Sequence, residues 1–246
     1  MSSPMTFIQP QFEIMERGRG GLQGPGDRRS LVARTKDSWA GSVVYASSHD
    51  PVRLVSGMWT VPAVVRPPQE SGPYCYSTWV GIDGAAHDEG GSTDILQAGT
   101  AQDGSGDPYA FWEWYDEPRS KIPSLKVRPG DVMFCSIEVL SPAEANILMM
   151  NMTTRLSTVF NKPANGRHVV GDTVEWILET PQDANGVPFT LSEFSWVYFD
   201  QCVAFTGSRL LLAGQGHLWN QTDVNDKVIA ESVAMTDRLF AVTYTA

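Results

Sequence analysis

From Ser38 to the carboxy terminus the chain alternates short β-rich runs with turn signals, and no window sustains the i, i+3, i+4, i+7 apolar spacing of an amphipathic helix. The stretch from Val52 to Pro62 is β-rich and closes on its proline. The run from Val132 to Val139 follows the turn Pro129-Gly130-Asp131. Further strands are predicted at Ile147 to Met152, Thr173 to Leu178, Trp196 to Phe199 and Phe240 to Tyr244. Asp103-Gly104, Asn165-Gly166 and Asn185-Gly186 supply turn chemistry between them. Only residues 224–235 have room for a short helical turn. Many short strands with regular punctuation, no internal repeat and no linker predict one all-β domain over 38–246, a sandwich or a barrel.

Composition narrows what such a domain does. The chain has 246 residues, of which 42% are apolar, enough for a substantial core. The net charge of −10 comes without a basic patch, which argues against nucleic acid as a partner. No apolar run reaches the roughly 18 residues of a spanning helix, so no membrane partner is expected. Cys75, Cys135 and Cys202 form no CxxC pair and, with four scattered histidines, no zinc spacing. One disulfide with a free thiol and three reduced core cysteines both remain open. Residues 1–36 carry six basic and three acidic side chains, so they sum to +3 and leave −13 for the rest. With the glycine cluster from Gly18 to Gly26, residues 1–37 read as a flexible basic tail, or as a pro-segment covering an acidic cleft. They lack the apolar stretch of a secretory signal.

Two segments far apart place polar side chains in runs that otherwise read as buried strand: Ile95-Leu96-Gln97-Ala98-Gly99 and Val174-Glu175-Trp176-Ile177-Leu178-Glu179. Burying an unsatisfied amide or carboxyl costs about 1–3 kcal/mol. The plain account is strand alternation with the polar residues facing water. Familiar nucleophile motifs do not compete with it. There is no Gly-x-Ser-x-Gly elbow, HExxH, P-loop, Asp-Thr-Gly or Asp-Ser-Gly. The cysteines sit in apolar contexts that suit packing better than catalysis. Tryptophan, glycine and carboxylates instead crowd residues 38–118: Ser38-Trp39-Ala40-Gly41, Trp59-Thr60-Val61-Pro62, Trp79-Val80-Gly81-Ile82-Asp83-Gly84 and Phe111-Trp112-Glu113-Trp114-Tyr115. Such clusters fill cores. They also suit a groove that grips an extended chain or a sugar.

Taken in order with the glutamine and glutamate segments, these motifs resemble the glutamic peptidase, or eqolisin, family from about Ser38 to the closing Phe240-Ala241-Val242-Thr243-Tyr244. The resemblance implies a concanavalin- or lectin-like sandwich of two antiparallel sheets. It implies an acid-acting, metal-independent endopeptidase, secreted and monomeric, with polypeptide substrates, no cofactor and a glutamine–glutamate dyad. The dyad falls on Gln97 and Glu175. Trp39, Trp79, Asp83, Phe111, Tyr115 and Trp176 are the residues expected to line the site and meet substrate. Phe111 replaces a tryptophan usual in the family, Asp116 a proline. Thr100-Ala101-Gln102-Asp103 lacks the aromatic and aspartate that often follow the glutamine motif.

Glu179 shares strand parity with Glu175, so both are expected on one face. Glu113 is the other carboxylate near the motifs. His87, Asp88 and Glu89 read as a solvated loop in preference to a metal site. Asn151-Met152-Thr153 and Asn220-Gln221-Thr222 are glycosylation sequons of a kind that occurs often by chance. The competing functions are a carbohydrate-binding or glycan-cleaving sandwich, which would need a carboxyl pair about 5–9.5 Å apart, and a family member that binds peptides without cutting them.

Overall fold

The computed structural model describes residues 4–14, 32–35, 38–47, 49–68, 72–85, 92, 94–115, 117–183 and 187–246. It is a β-sandwich. The first layer runs, from one edge to the other, β3 (Val32–Thr35), β17 (His217–Thr222), β4 (Trp39–Tyr45), β13 (Thr173–Glu179), β6 (Tyr74–Ile82), β7 (Leu96–Asp103), β8 (Tyr109–Trp114), β9 (Ser120–Lys126) and β2 (Glu13–Ile14). The second runs β18 (Val228–Ala234), β19 (Phe240–Tyr244), β15 (Trp196–Phe205), β5 (Leu54–Thr60), β10 (Val132–Ser141), β11 (Glu144–Asn151), β12 (Leu156–Pro163) and β1 (Thr6–Phe7). Strand β18 also pairs with β17, which joins the layers along one side. Short β14 (Thr190–Leu191) and β16 (Leu210–Leu212) extend β6 and β15.

The second layer behaves as alternation predicts. Along β10, Met133, Cys135 and Ile137 are buried while their neighbours are more open. Their buried side meets Val80, Ala98, Val174, Trp176 and Leu178 from the first layer. Trp176 ties the layers together, its indole N–H donating to the Ser56 carbonyl at 2.8 Å. Gly57 makes that approach possible, because a Cβ there would stand 2.7 Å from the Trp176 ring. Cys75, Cys135 and Cys202 are all free and buried.

The first layer is different. All seven residues of β13 are buried, and so are all nine of β6. Its outer face carries a second apolar cluster of Trp39, Val43, Trp79, Ala85, Ile95, Ala101, Phe111, Ile177 and Trp219. Two-sided burial is what makes Gln97 and Glu175 costly.

The strand expectations hold at their centres, and β19 spans Phe240–Tyr244 as read from sequence. Asn165 and Gly166 take positive φ in their turn. The room for a helical turn in residues 224–235 is not used, since Val228–Ala234 is a strand bonded to β17 and β19. Within residues 1–37, Thr6–Phe7 pairs with β12 and Glu13–Ile14 with β9, so this segment closes the side between the two layers. Phe12 packs 4.9 Å from the Phe160 ring and 6.1 Å from Trp112, under the Lys162 ammonium. Met15 and the cluster from Gly18 to Gly26 lie outside the described residues, as do His87, Asp88, Glu89, Asp116 and Asn185-Gly186.

Candidate active site

Gly81 organises the site. In the antiparallel register it faces Glu175 on one side and Gln97 on the other. The same row continues to Glu113 beyond Gln97 and to Val43 and His217 beyond Glu175. Residues in one row of a sheet share a face. Gln97 and Glu175 therefore stand on the outer face of the first layer, two strand spacings apart, about 9.6 Å between their backbones. A side chain at Gly81 would fill the space between them. Its Cβ would meet the Trp79 ring at 2.7 Å and the Leu96 carbonyl at 3.2 Å.

Both dyad candidates are fully buried, so the reading in which they simply face water is overturned. The Gln97 Nε2 donates to Glu113 Oε2 at 3.3 Å, and among the described residues Oε1 has no hydrogen-bonding partner. Neither oxygen of Glu175 makes a hydrogen bond of ordinary geometry among the described residues, although the Thr173 hydroxyl lies close enough to favour the charged form. Burial pushes the Glu175 carboxyl well above the usual carboxylate range; nearby Thr173 opposes this, and the charges of Asp83 and Asp172 add to it.

Four residues along the same strand face, Glu179 has the opposite surroundings. It accepts the indole N–H of Trp39 at 3.1 Å and of Trp79 at 3.0 Å, and the hydroxyls of Ser77 at 3.2 Å and Ser38 at 3.4 Å. Trp79 thus lies lengthwise, its pyrrole nitrogen on Glu179 and its benzo edge over Gly81. Trp39 meets Trp79 edge-on at 4.9 Å and stacks on Trp219 at 6.0 Å.

Phe111 is buried on the same face, and Tyr115 is half-buried against the same cluster. Asp83 closes β6 in a left-handed conformation, φ 72°. Its carboxylate accepts the N–H groups of Val170 at 2.7 Å, Gly171 at 2.7 Å and Asp172 at 3.0 Å. Burial raises its pKa, the Asp172 charge adds to the rise, and the Val170 and Asp172 N–H groups oppose it. Asp83 therefore anchors the segment leading into β13. Trp176 is not brought to the site. It follows Glu175 directly, so it points into the sandwich core.

Sequence reading missed Arg119. This side chain is 1% exposed, with Nε 3.0 Å from Glu113 Oε2, Nη2 3.9 Å from Glu179 Oε2, and its Cζ 4.0 Å from the centre of the Phe111 ring. Among the described residues no three His, Cys, Asp or Glu side chains converge as a metal site would require. A surface cavity of about 670 Å³ is lined by Pro67, Phe189, Gln221, Lys227 and Tyr244 among others, and neither Gln97 nor Glu175 borders it.

With this geometry in hand, comparison with known proteins gives a consistent result. A sequence model of the Peptidase A4 family matches residues 37–244. Aspergillopepsin-2 of Aspergillus niger is 26% identical over 190 residues, which cover 69% of this chain and 64% of that protein, so the match spans less than two thirds of the relative. Scytalido-glutamic peptidase, solved with a transition state analogue inhibitor, superposes with a TM-score of 0.73 at 20% identity, over 85% of this chain and 99% of that one. SCP-B, a member of the eqolisin family solved with a tripeptide, gives 0.70 at 20% identity over the same shares. Aspergilloglutamic peptidase from Aspergillus niger gives 0.62 at 24% identity, over 70% of this chain and 99% of that one. These likenesses bear out the sandwich fold.

Proposed function

Since the chain belongs to the Peptidase A4 family, we propose that it is a glutamic endopeptidase that hydrolyses polypeptides in acid, with Gln97 and Glu175 as its catalytic pair. The observation that carries this reading is the shared row: two buried polar side chains flank a glycine on one face, and among the described residues both keep oxygens without an ordinary hydrogen bond. Residues 38–246 form the catalytic unit, with residues 1–37 as an accessory segment.

A peptide carbonyl is a poor electrophile and water a poor nucleophile. Glu175 removes a proton from water as the oxygen attacks the carbonyl carbon, and then delivers a proton to the leaving nitrogen. The C–N bond breaks to give an acid and an amine, with no covalent intermediate on the protein. The resting carboxyl is held neutral by burial. It becomes the base when hydrogen bonds from water and substrate favour its charged form. Gln97 has one N–H committed to Glu113. Its second N–H then meets the developing oxyanion, a contact worth about 2.7–4 kcal/mol in comparable sites, and Oε1 holds the attacking water. An amide does not titrate, so this role survives at low pH.

Trp39, Trp79 and Phe111 form the dry wall beside the pair, with Tyr115 at its margin. Digestion of denatured casein across acidic pH, with and without inhibitors of aspartic, serine, cysteine and metallo-peptidases, tests the assignment. Cleavage that resists all four inhibitor classes and disappears in Glu175→Gln is the expected result. Full activity in Glu175→Gln overturns it.

A further inference from the structure

We propose that Arg119 is a positioning residue for Gln97, acting through Glu113 to fix which end of the amide faces Glu175. The inference rests on the dyad reading above. The two ends of a glutamine amide are nearly the same size, and only their hydrogen-bond partners decide the orientation. An ionised carboxylate accepts and cannot donate. While Glu113 is ionised, Nε2 must turn toward it, as it does at 3.3 Å, and Oε1 is left on the side away from Glu113. A protonated Glu113 could donate to Oε1 instead. The amide would then turn over and present the wrong end to the attacking water.

This matters most in acid, where an ordinary glutamic acid takes up its proton near pH 4.3, a rough reference value. The Arg119 Nε, 3.0 Å from Glu113 Oε2, favours the ionised form. A guanidinium stays charged at any pH the protein meets. Burial opposes the Arg119 charge; Glu113, Tyr109 and Glu179 sustain it, and the balance lies above the usual arginine value. The groups facing Arg119 are Glu113 and Tyr109 from β8, Glu179 from β13 and Cys75 from β6. Lys121 of β9 sits over the Tyr109 ring, and Asp103 of β7 accepts the Tyr109 hydroxyl. The second arm of the fork approaches Glu179, the carboxylate that holds Trp39 and Trp79. One buried cation therefore ties the orientation of the glutamine to that of the tryptophan wall.

The charge and the fork separate experimentally in the full chain. Arg119→Met removes both, whereas Arg119→Lys keeps the charge and loses the two-armed geometry. In Arg119→Met, kcat on casein should fall about tenfold or more, which is a modest change in barrier. The loss should grow as pH drops, moving the acid limb of the kcat profile up by about half a pH unit or more. Arg119→Lys should leave that limb in place while lowering kcat, with KM changed less than kcat in both. A wild-type profile in Arg119→Met, or equal loss at every pH in both variants, overturns the proposal. Should Arg119→Met fail to fold, Glu113→Gln takes its place. It should flatten the acid limb, and adding Arg119→Lys to it should change the limb no further; an unaltered limb overturns the proposal. Glu175→Gln, run alongside, reports on the dyad alone. Full activity there sinks the dyad reading, whereas an inactive Glu175→Gln with unshifted Arg119 variants sinks only this one.

Discussion

Toward its two ends β13 carries the same side chain on the same face at the same depth, in opposite surroundings. Glu179 is enclosed by two indole N–H groups, two hydroxyls and the approach of a guanidinium. Glu175, two strand repeats away, makes no hydrogen bond of ordinary geometry among the described residues. Burial alone therefore does not distinguish the two, because both are completely buried. The difference is what burial leaves undone. A satisfied buried carboxylate fixes its neighbours in place, while an unsatisfied one stores a desolvation cost that a substrate and water can relieve.

The sharpest way to break this comparison is to neutralise each carboxylate in turn. Glu175→Gln keeps the shape and removes proton transfer, so turnover on casein should drop by about 10²–10⁴ while the circular dichroism spectrum is unchanged. Gln97→Ala should lose about 10²–10³ in kcat, the range for one oxyanion donor. Wild-type rates in both variants would mean that the row through Gly81 is not the reacting centre.

Glu179→Ala tests the other end. Removing one partner of a buried ion pair costs roughly 3–5 kcal/mol. In a domain of this size that corresponds to a fall in Tm of about 6–20 °C. Tryptophan fluorescence should change with it, because Trp39 and Trp79 both lose their acceptor. If Glu179→Ala kept its Tm and lost only turnover, the division between a holding carboxylate and a reacting one would be wrong.

Why one end was legible in the sequence and the other less so comes down to parity and distance. Strand centres could be read because each is a local pattern. Val228–Ala234 was not read as a strand because its identity depends on pairing with β19 and β17, which no local window contains. Gln97 and Glu175 stood out as polar residues in apolar runs, and the Glu175–Glu179 relation followed from even spacing. The same parity rule places Trp176 on the opposite face from Glu175, so its position in the core could have been read beforehand. Arg119 had no such signal. It precedes β9 after Pro118, and only the register of β8 against β7 brings Glu113 beside Gln97 to receive it. The three backbone contacts of Asp83 come from residues 87 to 89 positions away and cannot be seen in sequence.

The smallest expected effect separates the two carboxylates by pH alone. The folded-state pKa of Glu175 lies above its unfolded value, chiefly through burial. The folded chain then holds a proton that the unfolded chain releases, starting near the unfolded value of about 4.3. Below that value both states are protonated and the burial costs nothing in charge. As pH rises through the window up to the folded pKa, the unfolded state is increasingly favoured and stability is lost. Glu175→Gln cannot ionise, so it should escape the loss. Its Tm should match the wild type near the acid end of the window and exceed it at neutral pH. Asp83, also shifted upward, contributes a dependence of the same sign that remains in the variant and sets the background slope. Equal Tm differences between Glu175→Gln and the wild type at both ends of the window would mean that Glu175 is already ionised in the folded protein, and the contrast with Glu179 would lose its electrostatic basis.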